Sequence, residues 1–140
     1  MNTCIVSHHH HYREGLRQLL EISIPSLSIV SYPSISNFSN NDNALVIIEP
    51  LFCDTEKEQR NIEVIEDLTK RGVKVCLITE NLRDEELIEL LSFPIFGLLF
   101  KSMRTQDVIL AIKRILKGAY YIPQRVGKLL LDQYQQQKSL

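Results

Sequence analysis

Short apolar runs alternate along this chain with longer stretches whose apolar residues recur at helical spacing. The short runs are 2–6, 27–32, 44–48, 73–78 and 96–100. They are rich in Val, Ile and Leu and read as strands buried on both faces. Between them, 12–22 carries Leu16, Leu19 and Leu20 on one stripe ahead of Pro25, and 56–71 carries Ile62, Ile65 and Leu68 ahead of Gly72. Both read as helices with a breaker beyond the last turn. The spacing predicts a shorter helix over 85–91, before Pro94, and a longer one over 105–117 with Val108, Ile109, Ile112 and Ile115 on its apolar stripe and Gly118 at its end. Pro123 opens a last helical stretch through Leu129, Leu130, Leu131 and Tyr134. The Ser- and Asn-rich segment 34–43 predicts a short, poorly formed helix between loops.

Strands alternating with helices make this an α/β chain with a doubly wound parallel sheet, in which right-handed crossovers leave few topologies open. The flavodoxin-like order 2-1-3-4-5 suits a chain of this size, with one extra helix at the C-terminus. In such sheets ligands sit beyond the carboxyl ends of the strands, at the switch point between the first and third. Three polar residues close apolar runs there: Glu49 after the third, Thr79 after the fourth and Lys101 after the fifth. The switch point also brings Ser7-His8-His9-His10-His11 beside Glu49.

Composition narrows the functions available. Among 140 residues, 44% are hydrophobic, enough for one core, and 16 basic against 17 acidic residues give no electrostatic case for nucleic acid or membrane binding by this piece alone. No apolar stretch approaches the ~20 residues that span a bilayer, so no membrane partner is expected. The N-terminus lacks a signal-peptide pattern, and the chain is expected to be cytoplasmic. Cys4 and Cys76 fall inside strands and read as buried reduced thiols, while Cys53 lies in a loop without an evident role.

The wording of several segments resembles the receiver domain of two-component response regulators of the NarL/FixJ family. Tyr12-Arg13-Glu14-Gly15-Leu16-Arg17-Gln18-Leu19-Leu20 is similar to that family's first helix. Gly97-Leu98-Leu99-Phe100-Lys101-Ser102 is similar to its fifth strand, and 108–112 with 118–123 to its fifth helix and the exit toward the linker. Thirty residues from Glu49 to Thr79 and twenty-two from Thr79 to Lys101 are spacings typical of the family. The resemblance covers nearly the whole chain. It implies a receiver-like domain over 1–121 and a C-terminal helix or linker over 122–140.

What the resemblance implies for the site is a loss. Lys101 matches the lysine that contacts an acyl phosphate, and Thr79 the hydroxyl residue that moves toward it. Glu49 stands where the phosphoacceptor aspartate belongs, and Ser7 and His8 where an acidic pair should hold magnesium. His9 matches a histidine common in the subfamily, and Leu98 replaces the switch aromatic. Phosphoryl transfer to a carboxylate needs Mg²⁺, which demands hard oxygen ligands in octahedral geometry. Ser7 is a poor ligand, His8 suits zinc or copper better, and Glu49 carries its carboxylate one methylene too far. The domain is therefore expected not to be phosphorylated by the ordinary route and to need no cofactor. Glu49 is then either a permanent substitute for phosphoaspartate or a relic, forming with Lys101 a partly exposed ion pair worth ~1 kcal/mol or less.

The four histidines raise a metal or pH-sensing role. Consecutive loop residues point in different directions, however, and the run reads as an exposed polar loop with no metal held. No phosphate-cradling glycine loop and no base for Cys53 are present, so an enzyme is not expected. Interaction remains. One reading is a phosphorylation-independent regulatory and dimerisation domain of a bacterial transcription regulator, a homodimer that reaches DNA only through a helix-turn-helix outside these residues. The other is a stand-alone module, an adaptor or anti-regulator, that binds a protein partner and no DNA.

Overall fold

The computed structural model describes residues 1–34, 43–50, 55–80 and 82–138. Five parallel strands form one sheet in the order β2-β1-β3-β4-β5. They are β1 (Asn2–Val6), β2 (Ser28–Tyr32), β3 (Leu45–Ile48), β4 (Lys74–Thr79) and β5 (Gly97–Phe100). The helices among the described residues are α1 (His10–Ser23), α2 (Thr55–Lys70), α3 (Asp84–Leu90), α4 (Thr105–Leu116) and α5 (Gln124–Lys138). This is the expected α/β architecture and strand order. The short helix expected over 34–43 and the loop position of Cys53 lie outside the described residues, apart from Ser34 and Asn43.

The alternation of side chains along each strand sorts the core into two layers. Ile5, Ile47, Cys76, Ile78 and Leu99 face α1 and α4, meeting Leu16, Leu20, Ala111, Ile112 and Ile115. Cys4, Val46, Ile48, Val75, Leu77 and Leu98 face the other way, meeting Ile65, Leu68, Leu87 and Leu90. Both layers are apolar, which is why the inner strands read as unbroken apolar runs; β2, at the sheet's edge, is only partly covered, against the expected burial on both faces. Cys4 and Cys76 are free and buried. Burial pushes the Cys4 thiol up to about 12 and Cys76 higher still, which disfavours the thiolate in both.

Glycine ends two helices as its position predicts. Gly72 and Gly118 take left-handed backbone, at φ 80° and 92°, just beyond α2 and α4. After α4 the chain runs beside β5. Tyr121 donates its amide to the Phe96 carbonyl at 2.9 Å and accepts from the Leu98 amide at 3.0 Å. Pro123 then starts α5, whose Val126 is fully buried in the second core layer.

Candidate functional site

Ladder hydrogen bonding continues one residue past the strands and fixes where the polar residues stand. The Ser7 amide donates to the Tyr32 carbonyl at 3.1 Å, Glu49 to Val6 at 2.9 Å and Lys101 to Thr79 at 2.8 Å. Pro50, buried behind Glu49, keeps that residue extended. Strand alternation carries Ile5, Ile47 and Leu99 on to Ser7, Glu49 and Lys101, so these three side chains share one face of the sheet. Thr79 follows Leu77 onto the opposite face.

Three side chains therefore converge, with a fourth beside them. Lys101 Nζ stands 2.6 Å from Glu49 Oε2. Ser7 Oγ donates to Glu49 Oε1 at 2.6 Å and accepts the His9 amide at 3.2 Å. His9 Nδ1 lies 3.2 Å from both carboxylate oxygens and 2.5 Å from Lys101 Nζ. An ammonium can only donate to His9 Nδ1 and a carboxylate can only accept from it, so the ring's tautomer decides which of these contacts is a hydrogen bond. His8 Nδ1 stands 3.9 Å from Glu49 Oε1, and the His8 and His9 ring centroids are 3.9 Å apart.

Electrostatics hold Glu49 ionised. Burial pushes its carboxyl up, but the contacts from Lys101, Ser7 and His9 outweigh burial and hold it below the ordinary carboxylate range. Burial also lowers His8, more than the Glu49 charge raises it, which favours the neutral ring. The Lys101–Glu49 pair is not the partly exposed one the sequence suggested: only 13% and 6% of the two side chains are accessible. Tyr12 covers it, with Lys101 Nζ 4.9 Å from the centre of its ring, and burial pushes the Tyr12 hydroxyl up to about 12.

The remaining site expectations divide. Leu98 is fully buried in the second core layer. Thr79 is buried, and its hydroxyl has no hydrogen-bond partner. The histidine run does not simply fan out. His8 and His9 turn toward Glu49, while His10 accepts from Arg13 at 3.1 Å and His11 lines a groove between α1 and α4.

Sequence reasoning missed Arg13. Its guanidinium is buried and donates to the Ser7 carbonyl at 2.7 Å, which ties the β1–α1 loop to the first turn of α1. The available signal was a cation in the first turn of a helix, where the helix dipole disfavours it.

Magnesium, the ion the family resemblance implies, does not fit this donor set. The site offers one carboxylate, already held by an ammonium, one hydroxyl that is spent on that carboxylate, and two imidazoles.

No family model matches the chain. The transcriptional regulatory protein DegU of Brevibacillus brevis is 25% identical over 138 residues, covering 93% of this chain and 56% of DegU. The chain thus spans just over half the length of that relative. The isolated receiver domain of RcsB from Salmonella enterica serovar Typhimurium, solved with the phosphomimetic BeF₃⁻, superposes with a TM-score of 0.76 at 23% identity, covering 92% of this chain and 97% of that one. RcsB in a structure of two dimers bound to two parallel DNAs gives a TM-score of 0.78 at 23% identity, covering 93% of this chain and 66% of that one. The fold is that of the receiver domain of NarL/FixJ-type response regulators.

Proposed function

We propose that this chain is a phosphorylation-independent regulatory and dimerisation domain of a transcription regulator of the NarL/FixJ type. One observation carries the first half of the reading. The carboxylate at the phosphoacceptor position, Glu49, already holds a cation at 2.6 Å on one oxygen and a hydroxyl at 2.6 Å on the other. Attack on a phosphodonor needs magnesium to gather charge, and Ser7 and His8 beside Glu49 do not supply the hard oxygen ligands that would hold it. Lys101 and Thr79 are the retained phosphate-contact positions in this reading, and Ser7, His8 and Leu98 the replaced ones.

The dimer and its DNA target rest on similarity to RcsB, whose dimers bind DNA, and to DegU. Residues 1–121 then act as the receiver-like domain, and 122–140 lead toward a DNA reader. Incubation of the chain with acetyl phosphate and Mg²⁺, followed by intact-mass measurement, is expected to show no phosphate adduct. Light scattering on the same samples is expected to give the mass of two copies with or without the phosphodonor. A stoichiometric adduct, or a dimer that forms only with the phosphodonor, would overturn the reading.

A second reading is favoured by the burial of Val126. Its packing ties α5 to the domain's own core, as suits a self-contained protein-binding module better than a free linker. A monomer in light scattering supports this alternative.

A further inference from the structure

A cation already occupies the point where His9 and Glu49 meet. Lys101 Nζ lies 2.5 Å from His9 Nδ1 and 2.6 Å from Glu49 Oε2, so a ring nitrogen and a carboxylate oxygen border the point that one positive charge fills. His8 Nδ1 completes the group: His8, His9 and Glu49 each offer a ligand atom, all within 4.8 Å of one another. Among the described residues this is the one such trio of potential metal ligands.

We propose that His8, His9 and Glu49 form a site for a divalent transition metal of the zinc type, which Lys101 occupies when the metal is absent. Two imidazoles and one carboxylate are a zinc-like donor set, and three protein ligands leave a fourth position open to water. Zinc bonds of ~2.0–2.1 Å to tetrahedral ligands put neighbouring donors about 3.3 Å apart. The present separations are 3.2 Å from His9 Nδ1 to either carboxylate oxygen and 3.9 Å from His8 Nδ1 to Oε1. His8 is the ligand that must move, and its side chain, 44% exposed, has room to turn toward the other two.

The surroundings support the ligands and provide for the displaced lysine. Ser7 donates to Glu49 Oε1 and fixes the carboxylate, an outer-shell contact of the kind that orients metal ligands. Arg13 holds the Ser7 carbonyl and with it the start of the histidine loop. A metal ion and the ammonium cannot share the position. Lys101 has two other contacts to retreat to: the Tyr12 ring, 4.9 Å from its Nζ, and Glu80, at 3.9 Å on the solvent side. Metal binding thereby exchanges one cation for another at Glu49 and frees the ammonium. The proposal does not rest on the phosphorylation reading, since it uses only the unmodified Glu49 carboxylate and two imidazoles.

Titration calorimetry of the whole chain with ZnCl₂, with MgCl₂ in parallel, tests it. One zinc per chain and no magnesium binding are expected. His9→Ala and Glu49→Gln are each expected to weaken zinc by about tenfold or more. A His10→Ala/His11→Ala double variant should bind as the unaltered chain does. Lys101→Met, which removes the competitor and leaves every ligand in place, should bind zinc more tightly. Circular dichroism melts establish that each variant is folded, and the exposed His9 keeps the test valid if the buried Glu49 variant is not. The proposal is overturned if zinc does not bind, if magnesium binds equally well, or if binding follows His10 and His11 in place of His9. Unchanged affinity in folded Lys101→Met also refutes the exchange.

Discussion

Lys101 and Glu49 meet at 2.6 Å inside the protein surface, joining the ends of β5 and β3 across β4. Burying two charges is costly, and the pair is tolerable because each member answers the other and Ser7 satisfies the second carboxylate oxygen. Breaking it from one side strands the other. Lys101→Met leaves a buried carboxylate unpaired and is expected to lose about 1–3 kcal/mol in urea unfolding. Adding Glu49→Leu should recover part of that loss, giving a clear coupling energy in the double-mutant cycle. Additive losses would show that the two charges do not support each other.

The same pair sets an acid dependence. Glu49 is held below its unfolded value of ~4.3, so its contribution to stability is whole above that pH. The contribution declines as pH falls through ~4.3 and is gone below the folded value. Urea midpoints measured at descending pH should drop more steeply for the unaltered chain than for Glu49→Gln. Parallel curves would mean that Glu49 titrates as an ordinary carboxylate.

Thr79 offers the opposite test. Its buried hydroxyl has no partner, so replacing it by an apolar group of the same shape removes a desolvated polar atom. Thr79→Val is expected to be neutral or to stabilise by up to ~1 kcal/mol in thermal or urea unfolding. A destabilised variant would reveal a hydrogen bond that the hydroxyl makes in solution.

Gly97 is closely packed by side chains. A Cβ there would lie 2.5 Å from Ile115 Cδ1 and 3.2 Å from Cys76 Sγ, between β5 and α4. Gly97→Ala is expected to cost about 1–3 kcal/mol by overpacking. Trimming the obstacle with Ile115→Val should recover part of that loss in the double variant. If the two losses simply add, the clash is not the cause.

The last helix should be asymmetric in its energetics. Val126 is fully buried, whereas Leu131 is 54% exposed. Val126→Ala is expected to cost about 1–3 kcal/mol, and Leu131→Ala less than ~0.5 kcal/mol. Equal small effects in thermal melts would mean that α5 detaches from the sheet in solution.

The sheet was legible because its inner strands are buried on both faces, and runs such as Leu45–Ile48 have no other stable home, whereas β2 at the edge is only partly covered. Helix ends were legible where glycine takes left-handed backbone, as at Gly72 and Gly118. The start of α1 was less so. The helix begins at His10 although no side chain caps it, and four histidines in a row give no sign of where a turn tightens. At the site, sequence placed Ser7, Glu49, Thr79 and Lys101 at one sheet edge but could not give their facing. Register past the strand ends decides that Ser7, Glu49 and Lys101 share a face while Thr79 looks away. The turn of His8 and His9 toward Glu49 depends on the loop path held by Arg13 and Ser7, a tertiary contact with no local signature.

The stretch around Tyr121 has a consequence for assembly. A sheet's outermost strand ordinarily presents free amides and carbonyls on which another chain can crystallise as a further strand. Here the carbonyl of Phe96, just before β5, and the Leu98 amide within it are both taken by Tyr121 of the same molecule. The start of that rim is covered from within, which shortens the edge a further strand could pair with and leaves only its far end open.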